Sequence, residues 1–241
     1  MSDLLDGVLA AHGGLARWQA ADQLTATIEV DGPFWDWRGR PGIRRPQTMT
    51  MDTRHQRITL APFSDGSLTA LFSAWPARVE IREGTGALLE ASDDPLATYP
   101  PYTDAVTWDR IQLAYFMGTA NWNYMAEPFL FTYPGVTATE IAPWSEGGET
   151  WRRLAVTFPA ELPNHNRSQT FYYGDDRLLR RMDYSPDVTG NSPIAHYAFE
   201  PITAGGLVFY GRRSVHLRNP DGIADLSSAP ITIRTSAVTV L

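Results

Sequence analysis

Residues 164–197 hold the side chains best suited to proton transfer and to binding a polar group. His196 lies in the sequence AHYAF, directly before Tyr197, and histidine gains or loses its charge close to neutral pH. Asp183 follows Arg181 by two positions, so on a strand the carboxylate and the guanidinium share one face. We therefore interpret His196, Asp183 and Tyr197 as candidate catalytic residues for acid–base chemistry. Arg181 is placed to bind a carboxylate or carbonyl group of a ligand, oriented by Asp183.

Each of these residues also has an ordinary structural interpretation, and the sequence leaves both open. Arg181 and Asp183 can form a surface ion pair that contributes little to stability. His196 can be a partly buried residue whose ring only satisfies hydrogen bonds. His165, in the turn-like sequence PNHNR, can lie on an exposed loop or reach a ligand.

Aromatic residues elsewhere in the chain supply candidate walls for a ligand cavity. The sequence FWDWRG at residues 34–39 alternates, which predicts a strand with both indole rings on one side. The sequence WNYMAEPFLF at residues 122–131 mixes rings, a thioether and a carboxylate, and suits either a core or a pocket wall. Together with Arg181, the candidate ligand-binding residues are Trp35, Trp37, Trp122, Tyr124, His165 and Tyr184.

The composition excludes several kinds of chemistry. All 20 basic residues are arginine, so no lysine can form a Schiff base, and the absence of cysteine removes thiol nucleophiles and thiolate metal sites. Phosphate-binding loops, dinucleotide fingerprints and metalloprotease motifs are missing, and the histidines are scattered. We therefore predict that the protein uses no cofactor and holds no metal ion. The net charge of -7 and the lack of a basic stripe predict that nucleic acid is not a partner.

The first residues and the hydropathy pattern bear on location. Acidic and basic side chains interrupt residues 1–20, which leaves no apolar centre of a secretion signal. No apolar run of about 18 residues follows, so the sequence predicts no membrane span. We interpret the protein as soluble and cytoplasmic.

The elements that position these residues are predicted to be mostly strands. Period-two alternation and frequent turn signals predict about ten antiparallel strands, including a hairpin of residues 169–173 and 178–184. Helical spacing predicts an N-terminal helix over residues 1–20, broken near Gly13, and a helix inserted at about 107–125. A sheet of this length has to curl, and two helices are then available to cover its concave face. No linker-like change of composition occurs, so residues 1–241 are predicted to form a single domain.

Six stretches spread over nearly the whole chain match one protein family. They are AHGGLARW, NWNYMAEPF, GETWRRLAVTFP, QTFYYGDDRLLRRMDY, AHYAF and LVFYGRRSV, beginning at residues 11, 121, 148, 169, 195 and 207. With them the chain resembles uncharacterised bacterial LolA-like proteins, described as outer-membrane lipoprotein-sorting-like. The resemblance implies a mainly β fold, in which one antiparallel sheet curls into an unclosed half-barrel of the LolA or LolB type. It also implies that an N-terminal helix and a mid-chain helix cover the concave face.

The resemblance implies a cavity for an acyl chain or another apolar molecule, and it assigns no catalytic residues. The chain departs from true carriers because it has no export signal and no lipidation cysteine, which argues against periplasmic lipoprotein transport. Our first hypothesis is therefore a protein that binds a hydrophobic or aromatic small molecule in the half-barrel. The alternative is a cofactor-independent isomerase, cyclase or lyase that uses His196 with Asp183 or a tyrosine in the same cavity. An interaction module without a small ligand is a third possibility.

Overall fold

The protein folds around one antiparallel sheet. The computed structural model describes residues 3–64 and 66–241, and the described residues form thirteen strands. The strands are β1 (Gln23–Asp31), β2 (Gln47–Asp52), β3 (Arg57–Phe63), β4 (Leu68–Ala74), β5 (Ala77–Arg82), β6 (Leu88–Ser92), β7 (Thr137–Glu146), β8 (Glu149–Thr157), β9 (Ser168–Tyr173), β10 (Leu179–Tyr184), β11 (Ile194–Ala204), β12 (Leu207–Leu217) and β13 (Ile231–Val240). The α-helices are α1 (Asp3–Ala11), α2 (Leu15–Ala20), α3 (Phe34–Trp37) and α4 (Arg110–Ala126).

The strand order shows two meanders that meet in the middle of the sheet. From edge to edge it runs β6-β5-β4-β3-β2-β1-β13-β12-β11-β10-β9-β8-β7, and β6 and β7 are not paired with each other. The predicted mainly β fold, an unclosed antiparallel sheet with helices on one face, is confirmed. The predicted number of about ten strands was too low, because edge strands such as β6 are largely exposed and lack a clean period-two apolar pattern.

The two faces of the sheet have different coverings. Cross-strand neighbours on the face that packs against the helices are Leu154, Phe171, Met182, His196 and Val215; we call this the inner face. One position away on the same strands, the neighbours on the outer face are Arg153, Tyr172, Arg181, Tyr197 and Ser214. Because successive strand residues point to opposite faces, adjacent positions in the sequence reach different surroundings.

Helix α4 lies on the inner face and is buried on all sides. Sixteen of its seventeen residues are buried, and it packs against β3, β4, β5 and β6. Gly118 lets the helix approach β4, since a Cβ atom there would lie 2.6 Å from the Cβ atom of Phe72. The predicted helix at about 107–125 is therefore present, shifted slightly towards the C-terminus.

The start of α4 is fixed by a capping box. The Asp109 carboxylate accepts a hydrogen bond from the Gln112 backbone N–H at 2.8 Å, and the Gln112 side chain accepts one from the Asp109 backbone N–H at 2.8 Å. Both bonds satisfy backbone donors that a helix N-terminus leaves unpaired. The helix therefore begins at Arg110 rather than at residue 107.

Replacing Asp109 with alanine is expected to lower the free energy of unfolding by about 1 kcal/mol. Stability is lost because the backbone N–H of Gln112, in the first turn of α4, no longer has the Asp109 carboxylate as its acceptor. Urea unfolding of both proteins measures the difference. The matched control is Asp175→Ala, since Asp175 lies exposed in the β9–β10 turn. Equal effects of the two substitutions would contradict the capping role.

The N-terminal helix is divided, as the glycines predicted. Residues 1 and 2 lie outside the described residues, α1 ends at Ala11, and α2 follows after Gly13 and Gly14. Gly13 has a φ of +107°, and a Cβ atom there would lie 2.2 Å from the Gly206 carbonyl oxygen. Only glycine fits that conformation and that approach.

Residues 34–39 do not form the predicted strand. Residues Phe34–Trp37 form the short helix α3, with the Trp37 backbone N–H bonded to the Pro33 carbonyl at 3.1 Å. On a helix, residues two apart point in different directions, so Trp35 is buried in the core whereas Trp37 is 51% exposed. The prediction that both rings share one side of a strand was wrong.

No helix in the described part of the chain is long and apolar enough to cross a membrane.

Candidate functional site

The predicted catalytic residues lie on neighbouring strands but on opposite faces of the sheet. Met182 pairs with His196 on the inner face, whereas Arg181 pairs with Tyr197 on the outer face. Asp183 also lies on the outer face, where it bonds to Tyr172. The structure therefore does not bring His196 together with Asp183 or Tyr197, because the alternation of side chains along β10 and β11 separates them.

The outer-face residues form a buried ionic cluster around Arg181. The Arg181 side chain is 0% exposed and donates from Nε and Nη2 to the two Asp183 carboxylate oxygens at 2.6 and 2.9 Å. It also donates from Nη1 to Glu146 Oε2 at 2.6 Å and from Nη2 to the Gly222 carbonyl at 2.6 Å. Arg181, Asp183, Glu146, Tyr172 and Tyr197 are named the Arg181 cluster.

Aromatic rings complete the Arg181 cluster. The guanidinium carbon lies 5.0 Å from the ring centre of Tyr172 and 5.7 Å from that of Tyr197. Both tyrosines donate to its carboxylates, Tyr172 to Asp183 at 2.7 Å and Tyr197 to Glu146. Burial raises the pKa of Tyr172 to about 12 and raises that of Tyr197, so both stay protonated. Arg181 is thus held by protein groups instead of by a ligand.

The ion pair between Arg181 and Asp183 exists, but it is buried and not at the surface. Burial alone lowers the pKa of Arg181, whereas the hydrogen bonds and charge of Asp183 raise it on balance. Through Gly222 the cluster also fastens the segment between β12 and β13 to the outer face. These contacts indicate a structural role for Arg181, Asp183 and Tyr197.

The inner face holds a second polar cluster, made of two histidines and two tyrosines. His165 Nε2 lies 2.6 Å from the Tyr124 hydroxyl, which lies 3.2 Å from the Tyr184 hydroxyl. The Tyr184 hydroxyl in turn lies 3.1 Å from His196 Nδ1. All four side chains are buried, and we call them the histidine–tyrosine chain. His196 Nε2 has no hydrogen-bond partner among the described residues.

Residues from several elements position this chain. Tyr124 lies on α4, Tyr184 on β10, His196 on β11, and His165 on the segment before β9. The His165 ring stacks on the Tyr184 ring, with centres 4.5 Å apart and planes 9° from parallel. This stacking and the hydrogen bonds fix the orientation of the His165 imidazole.

Arg213 supports the chain from β12, and sequence reasoning missed it. Its Nη2 donates to the Tyr124 backbone carbonyl at 3.1 Å, and its guanidinium carbon lies 4.9 Å from the Tyr124 ring centre. Burial lowers the pKa of Arg213, and the charge of Glu127 opposes that shift. The sequence did contain a signal for it. Leu207, Phe209 and Val215 are alternate residues of β12 that point to the inner face, and residue 213 falls in the same alternation.

The histidine–tyrosine chain is uncharged at neutral pH. Burial lowers the pKa of His165 to about 3. Burial, together with the charge of Arg213, lowers the pKa of His196 well below its usual range. Burial raises the pKa of Tyr124 to about 12 and that of Tyr184 above its usual value. Each imidazole therefore carries one proton, on one of its two nitrogens.

One end of the chain reaches a cavity of about 340 Å³, which we call the His165 cavity. Its apolar walls come from Tyr115, Phe116, Leu162 and Val188, among others. Its charged lining residues are Asp94, Arg167 and Asp187. His165 lines it as well, and Nδ1 of His165 has no hydrogen-bond partner among residues 3–64 and 66–241. The nitrogen left for a ligand is therefore Nδ1.

The other predicted ligand-binding residues lie elsewhere. Trp122 is fully buried and donates from Nε1 to the Asp52 backbone carbonyl at 2.8 Å, so it is a core residue. Trp35 is also in the core, and Trp37 lies on the surface. Tyr124 and Tyr184 join His165 in the chain without lining the cavity. No group of three or more metal-ligating side chains was found in the described part of the chain.

Comparisons with known proteins give similarity in fold only. No family model matches the chain, and no curated protein matches it. A DUF1329 family protein from Desulfovibrio piger is 9% identical, with a TM-score of 0.44, and the match covers 99% of this chain and 94% of that one. A LolA superfamily protein from Nitrosomonas europaea is 8% identical, with a TM-score of 0.44 and coverage of 96% and 90%.

A third similar structure is a putative outer membrane lipoprotein-sorting protein domain from Vibrio parahaemolyticus. It is 7% identical, with a TM-score of 0.43, and the match covers 99% of this chain and 91% of that chain. The LolA-like resemblance expected from the sequence is therefore found among solved structures. At these identities and TM-scores, the similarity concerns the backbone fold and indicates nothing about ligands.

Proposed function

We propose that the protein binds a small, largely apolar molecule in the His165 cavity. The observation that carries this proposal is a cavity of about 340 Å³ with apolar walls and one buried imidazole among its lining residues. That volume lies at the lower end of the range for small-molecule sites, and few polar groups on an apolar wall are typical of them. A cytoplasmic location and independence of cofactors stay predictions from the sequence.

The size of the cavity limits the ligand. Helix α4 is almost wholly buried on the inner face, so it occupies the space that an empty half-barrel would offer to a long chain. The remaining volume suits a molecule of one or two rings, or a short branched chain. Tyr115 and Phe116 supply ring faces and edges against which such a molecule can pack.

Binding is preferred to catalysis because of the positions of the carboxylates. The enzyme hypothesis used His196 with Asp183 or a tyrosine, and Asp183 lies on the other face of the sheet, bonded to Arg181. The tyrosines beside His196 are protonated, and burial raises the pKa of Tyr184. Asp94 and Asp187 do line the cavity, but neither carboxylate is hydrogen-bonded to the His165 imidazole, so the described residues give the cavity no paired acid and base.

Replacing Ala160 with tryptophan is expected to weaken binding of a neutral naphthalene probe by about tenfold or more, because the indole takes up space in the cavity that Ala160 lines. The probe is 6-propionyl-2-dimethylaminonaphthalene, whose emission shifts to the blue in an apolar site. Fluorescence titration measures the dissociation constant. Circular dichroism checks that both proteins are folded.

The matched control is Ala87→Trp, because Ala87 is exposed between β5 and β6 and does not line the cavity. It is expected to bind the probe as the unsubstituted protein does. If the unsubstituted protein leaves the probe unbound, or if both tryptophan variants bind it equally well, the proposed site is wrong. Native mass spectrometry of the purified protein then looks for a bound molecule that Ala160→Trp no longer retains.

A further inference from the structure

We propose that the His165 cavity selects ligands whose polar group is uncharged, such as a ketone, an alcohol or an amide. We further propose that this group determines which nitrogen carries the proton in both His165 and His196. The inference rests on the proposed function, since it concerns the ligand of the same cavity. It is carried by the geometry of the histidine–tyrosine chain, in which two hydroxyls connect Nε2 of one imidazole to Nδ1 of the other.

The first step concerns the charge that the site can accept. His165 is buried and its imidazole is neutral, so it offers a hydrogen bond without a compensating positive charge. A carboxylate placed against it would lose hydration without gaining an ion pair, which is unfavourable. Asp94 and Asp187 add negative charge to the lining, and the lining residue Arg167 is exposed.

The charges behind the chain do not change this conclusion. The guanidinium carbon of Arg213 lies 4.9 Å from the centre of the Tyr124 ring, and Arg213 does not line the cavity. Its positive charge is opposed by that of the buried Glu127 carboxylate. Among the described residues, no arginine side chain is hydrogen-bonded to His165. An anionic ligand therefore gains little from the interior.

The second step concerns the direction of the hydrogen bonds. A ligand carbonyl accepts a hydrogen bond, so His165 must carry its proton on Nδ1 and accept from Tyr124 through Nε2. Tyr124 then accepts from Tyr184, and Tyr184 accepts from Nδ1–H of His196. Each hydroxyl donates once and accepts once, so no pair is left with two donors or two acceptors.

The opposite direction satisfies the same three contacts, but it leaves a buried N–H on His196 Nε2, which has no hydrogen-bond partner among the described residues. If the ligand donates a hydrogen bond, Nδ1 of His165 must accept it, so the proton of His165 lies on Nε2. The donor and the acceptor then change places in every hydrogen bond along the chain. His196 then carries its proton on Nε2. In both arrangements the two imidazoles carry the proton on the same kind of nitrogen. A mixed arrangement would leave one contact without a hydrogen bond, which costs free energy in a buried site.

The first experiment compares three probes of nearly equal shape: 2-acetylnaphthalene, 2-naphthoate and 2-isopropylnaphthalene. At pH 7 the ketone is expected to bind about tenfold or more tightly than the carboxylate. In His165→Leu the affinity for the ketone relative to the isopropyl compound is expected to fall by about tenfold, because an apolar pocket favours the hydrocarbon. Isothermal titration calorimetry gives the three dissociation constants.

The outcomes separate the two proposals. If no probe binds, the proposed function fails. If naphthoate binds as tightly as the ketone, or His165→Leu leaves the relative affinities unchanged, the selectivity is disproved while binding in the cavity stands. The same probes applied to Ala160→Trp confirm that they occupy this cavity, since each of them should then lose affinity.

The second experiment measures the proton positions directly by nitrogen NMR of labelled histidine. With 2-acetylnaphthalene bound, His165 and His196 are both expected to show a protonated Nδ1 and a bare Nε2. Tyr184→Phe removes the hydroxyl that connects Tyr124 to His196, so the proton position in His196 should no longer depend on the ligand, while the ketone remains bound. Tyr124→Phe serves as a second break in the chain. Opposite proton positions in the two rings, or an imidazolium signal from either at pH 7, would overturn the proposal.

Discussion

Replacing Arg181 with leucine is expected to lower the free energy of unfolding by about 3–5 kcal/mol. The side chain is 0% exposed, and it is the cation that bonds to both Asp183 and Glu146. Without it, two carboxylates keep a buried or half-buried position and lose their strongest partner. The Gly222 carbonyl also loses its donor, so the segment between β12 and β13 is released from the outer face. Urea unfolding at pH 7 measures the loss.

Arg212→Leu is the matched control, because Arg212 lies on β12 of the same sheet, two strands from β10, but its side chain is 40% exposed. It pairs with Glu200 and lies over the Phe199 ring, and a surface pair of this kind contributes at most about 1 kcal/mol. The double variant Arg181→Leu with Asp183→Leu should recover part of the loss, since it removes a buried carboxylate that otherwise keeps only the Tyr172 hydroxyl and, at 3.4 Å, Arg218 as partners. A loss from Arg181→Leu no larger than that from Arg212→Leu would show that the cluster does not stabilise the fold.

Lowering the pH from 7 to 5 is expected to reduce the free energy of unfolding by about 2 kcal/mol for each of His165 and His196. Burial lowers the pKa of both imidazoles in the folded protein, to about 3 for His165. The unfolded chain, with the usual histidine pKa of about 6.5, binds protons over this range that the folded protein does not. Stability is therefore complete above pH 6.5 and falls as the pH decreases below it.

Urea unfolding at pH 7, 6 and 5 tests this dependence before most carboxylates begin to titrate. His165→Gln keeps a neutral hydrogen-bonding side chain and should remove about half of the pH dependence. His55→Gln is the control, because the His55 side chain is 78% exposed and its pair with Asp52 lies at the surface, so most of the dependence should remain. A stability that is level between pH 7 and 5 would show that the buried histidines are not held neutral.

The fold was largely predictable because its signals are local. The hairpin of β9 and β10 follows from two alternating runs around one turn, and α4 follows from its spacing and its cap. The prediction for residues 34–39 was wrong because the segment is too short to distinguish a helix from a strand. A four-residue helix after Pro33 and a short alternating strand can have the same apolar residues. Over so few residues, tertiary packing decides between them.

The candidate site was less predictable because it depends on register and on distant contacts. Because successive residues of a strand point to opposite faces, His196 and Tyr197 were bound to lie on different faces. Met182 pairs with His196 on the inner face, so the next residue, Asp183, lies on the outer face. That pairing depends on the length of the β10–β11 connection, which no sequence rule fixes. The bond between His165 and Tyr124 joins residues 41 positions apart, and α4 brings it about. His165, Tyr124 and Tyr184 were each singled out from the sequence, but not as one chain.

The order of the strands has a consequence for biosynthesis. In the middle of the sheet β1 pairs with β13, the first and the last of the thirteen described strands, and β13 also pairs with β12. While the chain emerges from the ribosome, the meander β1–β6 and the meander β7–β12 therefore each expose an unpaired inner strand until β13 is made. Unpaired strand edges are the surfaces through which incomplete β proteins aggregate. A nascent chain that stops before residue 231 would present two such edges at once, so chaperone dependence should be greatest between the synthesis of β12 and that of β13.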